Sequence, residues 1–403
     1  MSDYHRPKKI HRTLVWGGWY GSRNIGDTAI LLGIKELYKL INHNRHYYLG
    51  FLSTDVDYTN TNGVSGKRAL LKSDVVKPWN WVKLIRIFSE SDRVVISGGT
   101  PIFDFSHGIR SLYFILPVLL KKPFILFGAG VKPIHSWYGK KYIPFTLKRA
   151  YYTSVRDDGS MNILQNLGVK HTVKTADSAF FAPAADKNEL IPVLQRYGVK
   201  ESDKLLIVAP RLMSPDKKRL YLDEDMDQNV ISQTPEKIAR AIDANSESYD
   251  KIVFMAMHFY GPDSDVELIK TILEKTNTKK AVYIEEELRP TVAIALFEHA
   301  HVVLAMRLHA LLLSASMCTP TVGIAYEQKV TDLFKRLEIE ENVLDLFDFS
   351  EQELSEMLSR VTSNRNKLHR KLEKTVSKLR ELILKDAENV LKINEKYSDE
   401  HTV

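Results

Sequence analysis

The residues best suited to chemistry lie between Met306 and Val330, in the segment MRLHALLLSASMCTPTVGIAYEQKV. Arg307 and His309 begin a predicted helix directly after an apolar strand, and Lys329 follows the next apolar strand. An imidazole exchanges a proton near neutral pH, which suits general acid or base catalysis. Because two further cations accompany it, we interpret His309 as a functional residue rather than as a histidine that satisfies a structural hydrogen bond.

Arg156 is the second cationic candidate. It stands in the segment SVRDDGS, where a predicted strand meets a predicted helix. A planar guanidinium binds a carboxylate or a phosphate through two parallel hydrogen bonds, so Arg156 suits an anionic ligand; a structural pair with Asp157 is the alternative. Asp177 in TADSAFF and His258 in MHFYGPDSD also follow predicted strands, and for both a substrate contact and a structural role remain open.

Glycine-rich loops follow three predicted strands in the first half of the chain. Glycine lets a backbone approach a ligand closely, and a helix that begins after such a loop offers N–H groups to an anion. For the first loop the alternative is an ordinary strand-to-helix turn capped by Asp27. Its glycine spacing is neither that of a dinucleotide-binding fingerprint nor that of a Walker loop. The candidate substrate-binding residues of these loops are Asn24 and Asp27, Gly98, Gly99 and Asp104, and Gly128 and Gly130.

Alternating strands and helices must position these residues. Strand-like runs alternate with helical patterns over residues 13–185, which predicts a parallel sheet in an α/β domain, although 56–74 has little periodicity and is predicted to be loop. A second α/β set covers 200–345, and 350–398 is helical in pattern, without Gly or Pro. Residues 1–12 are polar and basic, and we expect a flexible lead. Ligands of open parallel sheets bind beyond the carboxyl ends of the strands, where the candidate residues fall.

Composition and charge narrow the possible functions. The 403 residues include 57 Lys and Arg against 50 Asp and Glu, for a net charge of +7, and these cations are scattered. A nucleic-acid partner is therefore not expected, whereas small anionic ligands or an anionic membrane surface fit. No apolar run reaches the roughly 18–20 residues that span a bilayer. The single cysteine, Cys318, excludes an internal disulfide, and we see no metal-ligand spacing.

An ordered set of motifs resembles the polysaccharide pyruvyltransferase family. The motifs are GWYGSRNIGDTAIL, VVISGGTPIFD, FGAGVKP, SVRDDGSMNILQNLGV, TADSAF and MRLHALLLSASMCTPTVGIAYEQKV, and they span about Leu14 to Val330. The resemblance implies two Rossmann-like domains of a glycosyltransferase-B-like fold, with an acceptor side (13–185) and a donor side (200–345). It also implies transfer of pyruvate from phosphoenolpyruvate, as a co-substrate, to a sugar. A pyruvate ketal forms, phosphate is released, and no cofactor is needed.

The family's donor-handling Arg, His and Lys fall on Arg156, His309 and Lys329. Arg156 suits the carboxylate or phosphate of the donor, Lys329 supplies a point charge, and His309 is our candidate for proton transfer. Asp27 or Asp104 is a candidate for orienting or deprotonating an acceptor hydroxyl. Arg307, His258 and the loop residues named above are interpreted as substrate-binding residues.

Two other functions remain open from the sequence. One is a nucleotide-sugar-dependent glycosyltransferase, because one fold can serve both reactions. The other is a catalytically inactive sugar-binding or scaffold protein. For the leading hypothesis we expect a glycan acceptor of the cell surface or its precursor. We also expect a cytoplasmic location, with peripheral contact at the inner face of the membrane if the acceptor is lipid-linked.

Overall fold

The chain folds into two compact α/β units. This computed structural model describes residues 11–42, 47–68, 78–104, 109–211, 228–261 and 264–400. The first unit comprises Met1–Ser22, Asp27–Phe181 and Leu379–Val403, and the second comprises Arg23–Gly26 and Ala182–Lys378. The described part of each unit contains one parallel sheet.

The sheet of the first unit has seven strands among the described residues. They are β1 (His11–Gly17), β2 (Tyr47–Ser53), β3 (Ser65–Arg68), β4 (Arg93–Ser97), β5 (Phe124–Ala129), β6 (Tyr152–Val155) and β7 (Val173–Lys174). Their spatial order is β3–β2–β1–β4–β5–β6–β7, and neighbouring strands pair in parallel. The central strands β4 and β5 are buried almost throughout, as expected when a parallel sheet is covered on both faces.

The helices of the first unit supply the apolar side chains that cover this sheet. They are α1 (Ile25–Ile41), α2 (Val56–Thr61), α3 (Pro78–Ser89), α4 (Ile109–Leu119), α5 (Gly139–Leu147) and α6 (Asp158–Asn166). Leu14 and Leu126 of the sheet form a buried cluster with Phe88, Phe114 and Ile143 of the helices. Burial of this cluster stabilises the scaffold from which the strand-end loops extend.

The second unit repeats the architecture. Its strands are β8 (Leu205–Ala209), β9 (Lys251–Phe254), β10 (Ala281–Tyr283), β11 (Val302–Ala305), β12 (Thr321–Ala325) and β13 (Val343–Asp345). The parallel order is β10–β9–β8–β11–β12–β13. Its helices are α7 (Lys187–Arg196), α8 (Gln228–Asn245), α9 (Val266–Lys275), α10 (Pro290–His299), α11 (Leu308–Ser316), α12 (Gln328–Arg336) and α13 (Glu351–Ser363), followed by α14 (Arg365–Glu400).

Three regions differ from the sequence predictions. β1 begins at His11, so His11 and Arg12, the last two residues of the predicted flexible lead over 1–12, belong to a strand. The described part of 56–74 contains α2 and β3, although it was predicted to be loop; β3 is an edge strand whose sequence, SGKR, has no apolar residue to reveal it. The carboxyl-terminal helical pattern is divided at Asn364, and α13 begins with a capping box between Ser350 and Glu353.

The helix α14 packs through one apolar stripe. Its buried residues recur at helical spacing at Leu372, Val376, Leu379, Ile383 and Ala387. Asp386 is also buried, and its carboxylate accepts hydrogen bonds from the hydroxyls of Tyr152 and Ser154, both at 2.6 Å. Burial raises the pKa of Asp386. Within the ranges described above, no helix is both long and apolar enough to cross a membrane.

Candidate functional site

The glycine-rich loops of the first unit follow the carboxyl ends of neighbouring strands β1, β4 and β5. A Cβ atom added to Gly98, whose φ is +146°, would lie 2.4 Å from the backbone of Gly18. One added to Gly130 would lie 2.4 Å from the carbonyl oxygen of Gly99, and Gly128 (φ +54°) faces the loop after β7. These glycines therefore admit the backbone of the adjacent loop. Their predicted contacts with a ligand remain predictions.

Arg156 follows β6 and is almost fully buried, with 7% of its side chain exposed. Its guanidinium pairs with Asp177, which follows β7 and is 5% exposed, and its Nε lies 3.7 Å from a carboxylate oxygen of Asp157. Burial acts to lower the pKa of this guanidinium, but the carboxylates of Asp177, Asp157 and Asp27 outweigh it and raise the pKa. The first unit therefore holds a charged guanidinium beside the loop of Gly130.

Asp27 lies in the first turn of α1, on the same edge of the first sheet. Its Oδ1 accepts a long hydrogen bond, 3.4 Å, from the backbone N–H of Trp19, and it lies 3.5 Å from the position of a Cβ added to Gly99. A carboxylate at this edge could orient a hydroxyl group. Its proposed role toward an acceptor remains a prediction.

Asp104 braces a loop. Its carboxylate accepts hydrogen bonds from the backbone N–H groups of His135 (2.8 Å) and Ser136 (2.7 Å), and also from the Ser136 hydroxyl. Burial acts to raise the pKa of Asp104, but these hydrogen bonds outweigh it and lower the pKa. Asp104 is therefore a weak proton acceptor, and its predicted contact with an acceptor hydroxyl stays a prediction.

His309 is the second residue of α11, and it lies against the loop Arg23–Gly26 of the second unit. A Cβ atom added to Gly26 would lie only 2.4 Å from Nδ1 of His309. The Gly26 N–H donates to Oδ1 of Asn24 at 2.9 Å. Asn24 therefore caps α1, a role that the sequence suggested for Asp27. The N–H group that binds Asn24 is one of those predicted to face an anion.

Side-chain and backbone contacts hold this loop within the second unit. Arg23 pairs with Glu287 at 3.0 Å, and its guanidinium centre lies 5.6 Å from the ring centroid of Tyr260. The backbone of Asn24 forms an isolated antiparallel bridge with His258. Because the loop is fixed at several points, it limits the positions open to the imidazole of the neighbouring histidine.

Arg307 immediately precedes α11 and forms a bidentate pair with fully buried Asp265. The Nε–Oδ2 and Nη2–Oδ1 distances are both 2.7 Å. The same carboxylate accepts hydrogen bonds from the backbone N–H groups of Met257 (3.2 Å) and His258 (3.1 Å). Arg307 thus holds together the ends of β9 and β11. The substrate contacts predicted for Arg307 and His258, each about 8% exposed, stay predictions.

Lys329 is the second residue of α12 and pairs with Glu327 at 2.7 Å. Burial acts to raise the pKa of Glu327, but Lys329 outweighs it and the pKa is lowered. Tyr326 is buried and accepts a hydrogen bond from Arg211, whose guanidinium centre lies 4.6 Å from the ring centroid. Arg211, which the sequence reasoning missed, follows β8 after Pro210.

The second unit thus presents basic side chains after three adjacent strands. Arg211 follows β8, His309 follows β11 and Lys329 follows β12, and these strands are neighbours in the sheet. Such groups can bind a phosphate and stabilise the charge that develops as it leaves. The signal for Arg211 was its position after a strand in VAPRL, the same signal that indicated Arg156. Among the described residues, no group of three or more His, Cys, Asp or Glu side chains could hold a metal ion.

Solved structures share this fold at low sequence identity. Staphylococcus aureus MnaA, in a structure with UDP, has a TM-score of 0.61 at 11% identity, covering 97% of both chains. UDP-GlcNAc 2-epimerase from Neisseria meningitidis, bound to UDP-GlcNAc, has a TM-score of 0.59 at 12% identity, covering 96% of this chain and 100% of that one. Such likeness shows the fold alone. The two Rossmann-like units and the carboxyl-terminal helix are those of a glycosyltransferase-B-like α/β fold, which confirms the predicted fold class.

Sequence comparison identifies one family among the proteins that share this fold. Residues 24–328 match the polysaccharide pyruvyl transferase family. Amylovoran biosynthesis protein AmsJ of Erwinia amylovora is 23% identical over 312 residues, which cover 75% of this chain and 72% of AmsJ. The chain belongs to the polysaccharide pyruvyl transferase family, and the resemblance in its sequence is confirmed. Membership makes the protein a transferase of polysaccharide biosynthesis.

Proposed function

We propose that this protein transfers pyruvate from phosphoenolpyruvate to a sugar of a cell-surface polysaccharide or its precursor. The observation that carries the proposal is the set of Arg211, His309 and Lys329 after adjacent strands of the second sheet. Phosphoenolpyruvate carries a carboxylate and a phosphate and gives up the phosphate. Cations that bind the donor can therefore also stabilise the leaving group.

The proposed roles follow from how each cation is held. In the second unit, Lys329 and Arg211 bind the donor phosphate: Lys329 is fixed by Glu327, and Arg211 is fixed by Tyr326. In the first unit, Arg156 binds an anionic group, and its charge is maintained by surrounding carboxylates. Lys329 keeps 30% of its side chain exposed, so it is partly open to solvent and to a ligand.

The chemistry needs one proton donor and two hydroxyl groups of the same sugar. His309 delivers a proton to C3 of phosphoenolpyruvate, and C2 becomes electrophilic. One sugar hydroxyl adds to C2, and its proton returns to His309. The second hydroxyl then attacks C2 as the C2–O bond to phosphate breaks; phosphate leaves with the electron pair and takes up the proton of this hydroxyl. Two C–O bonds and one C–H bond form, the C2=C3 π bond and one C–O bond break, and no electron acceptor or cofactor is required.

A nucleotide-sugar-dependent glycosyltransferase is the alternative on this fold. The two differ in donor, so the first experiment measures phosphate release from phosphoenolpyruvate with β-galactoside, glucose-type and mannosamine-type acceptors. Lys329→Met is compared with Lys335→Met, an exposed lysine on the same helix. We expect acceptor-dependent release that Lys329→Met reduces at least roughly ten-fold and Lys335→Met leaves intact. Transfer from a nucleotide sugar, with none from phosphoenolpyruvate, would refute the proposal.

The proposed donor also indicates where in the cell the reaction takes place. Phosphoenolpyruvate is an intracellular metabolite, so we place the proposed reaction in the cytoplasm. A lipid-linked acceptor would then bring the protein to the inner face of the membrane. Fractionation of cells that express the full chain, with and without the lipid-linked precursor, tests this placement.

A further inference from the structure

An exposed aromatic group stands on the loop that follows β5. Trp137 has 72% of its surface exposed. The Tyr138 ring is perpendicular to it, with centroids 6.1 Å apart, and Nζ of Lys141 lies 5.4 Å from the indole centroid. We call these three residues the Trp137 platform. An exposed indole that is held in place by neighbouring side chains offers a ligand a flat apolar face.

A row of ring contacts connects the platform to the core of the first unit. Trp16 of β1 contacts Phe114 at 6.3 Å between ring centroids, and Phe114 contacts Tyr142 at 6.4 Å. Tyr142 is stacked on Tyr138, with a centroid distance of 6.3 Å and an angle of 9° between the rings. Tyr138 in turn contacts Trp137. The exposed indole is therefore supported by the core, which lowers the entropy lost when a ligand binds.

The backbone of the same loop is also fixed. The N–H of Lys132 donates to the carbonyl oxygen of Ile102 at 2.9 Å, which ties the loop after β5 to the loop after β4. Asp104 holds the next turn through Ser136 and His135. This accounts for Asp104 in a way that the sequence did not suggest: its carboxylate supports the residues directly before the exposed indole.

We propose that the Trp137 platform is a stacking subsite for a sugar ring of an extended glycan acceptor. The inference rests on the proposed function and locates the part of the acceptor that does not react. An indole face offers a flat apolar surface with partial negative charge to the C–H groups of a pyranose ring. The ammonium group of Lys141 complements acidic groups on the glycan. The loop follows a strand end on the same sheet edge as Arg156, where a chain bound to that edge would extend.

A membrane surface is the competing partner, because Trp, Tyr and Lys also mark membrane interfaces. The contacts favour the glycan. Two exposed rings of this region each lie beside a cation: Lys141 lies over Trp137, and the guanidinium centre of Arg149 lies 3.7 Å from the ring centroid of Phe145. Insertion of these rings into lipid would strip water from the cations, whereas a hydrated sugar leaves them solvated.

The test compares Trp137→Ala with Trp137→Phe in the full-length protein, and Phe145→Ala is the control. The rate of phosphate release is measured as a function of the concentration of a methyl glycoside and of the corresponding linear oligosaccharide. We expect Trp137→Ala to raise the KM for the oligosaccharide about ten-fold and Trp137→Phe to raise it less. The KM for phosphoenolpyruvate, kcat and the methyl glycoside reaction should stay unchanged. Melting temperatures establish that the variants fold.

One result would overturn the subsite: an unchanged KM for the oligosaccharide in Trp137→Ala. If that variant also loses co-sedimentation with phosphatidylcholine–phosphatidylglycerol vesicles, the platform is assigned to a membrane instead. If the wild-type protein releases no phosphate from phosphoenolpyruvate, the proposed function fails. The platform is then tested by electrophoresis in gels that contain soluble galactan or glucan. If the glycan retards the wild-type protein but not Trp137→Ala, the platform is supported; if it does not retard the wild-type protein, or retards both equally, the platform is refuted.

Discussion

Substitution of Gly26 by alanine tests whether the position of His309 controls catalysis. The Cβ of an alanine at this position would lie 2.4 Å from Nδ1, 2.5 Å from Cγ and 2.6 Å from Cβ of His309. Ordinary contact begins at 3.4 Å, so the two groups must separate by about 1 Å, the difference between 3.4 Å and 2.4 Å. The loop is held by Arg23 and Asn24, so His309 is expected to move. Its Cβ is also too close, so the imidazole must shift together with the backbone that carries it.

The expected magnitude follows from this displacement. A reacting group misplaced by about 1 Å can cost about 10²-fold in rate, which corresponds to about 2.7 kcal/mol of transition-state stabilisation. Overpacking also lowers the free energy of unfolding by about 1–3 kcal/mol. We expect Gly26→Ala to lower kcat about 100-fold while the KM for phosphoenolpyruvate changes little, because the cations assigned to phosphate binding lie on other loops.

The control is Gly159→Ala. Gly159 is the second residue of α6, as Gly26 is the second residue of α1, but a Cβ atom there meets its nearest neighbour at 3.5 Å. Initial rates of phosphate release give kcat and KM for both variants, and denaturant titration gives their stabilities. A Gly26→Ala enzyme with wild-type kcat would refute the reasoning, since the imidazole would then have moved without consequence.

Three further predictions concern charged side chains. Asp177→Asn should lower the free energy of unfolding by about 3 kcal/mol, the low end for a broken buried pair, because another carboxylate lies 3.7 Å from Arg156; an unchanged urea midpoint would contradict this. Arg211→Lys keeps the charge but loses the planar contact with Tyr326. The KM for phosphoenolpyruvate should rise roughly ten-fold in phosphate-release assays, and an unchanged KM would exclude Arg211 from donor binding. Asp386 has a raised pKa, so its contribution to stability is present in acid and is lost as the pH rises through that pKa. Asp386→Asn should match or exceed wild-type stability at neutral pH and lose this advantage in acid, as thermal denaturation at both pH values would show.

The sequence pattern was sufficient to predict the α/β class, because apolar strands and amphipathic helices alternate in both halves of the chain. It also placed Arg156 and His309 at strand ends, since a charged group directly after an apolar strand cannot lie in the core of the sheet. β3 was missed because an edge strand with one solvated face needs no apolar run. α2 was missed because a six-residue helix is too short to show periodicity.

The side chains that pair with the basic residues could not be predicted from the sequence. Arg307 and Asp265 are 42 residues apart in the chain, and only the adjacency of β9, β8 and β11 brings their loops together. The same holds for Asp104 and Ser136, which are 32 residues apart. A glycine beside a ligand and a glycine beside another loop look alike in sequence, as Gly98 illustrates, because both need a backbone without a side chain.

These pairings separate cations that build the site from cations that can act on a ligand. Arg307 directs Nε and Nη2 to a fully buried carboxylate that also binds two backbone N–H groups, so its removal would first disturb the fold of the second unit. Lys329 pairs with the carboxylate of Glu327 and keeps 30% of its side chain exposed. The sequence treats both as basic residues after a strand. The difference in burial makes Lys329, rather than Arg307, the cation that we assign to the donor.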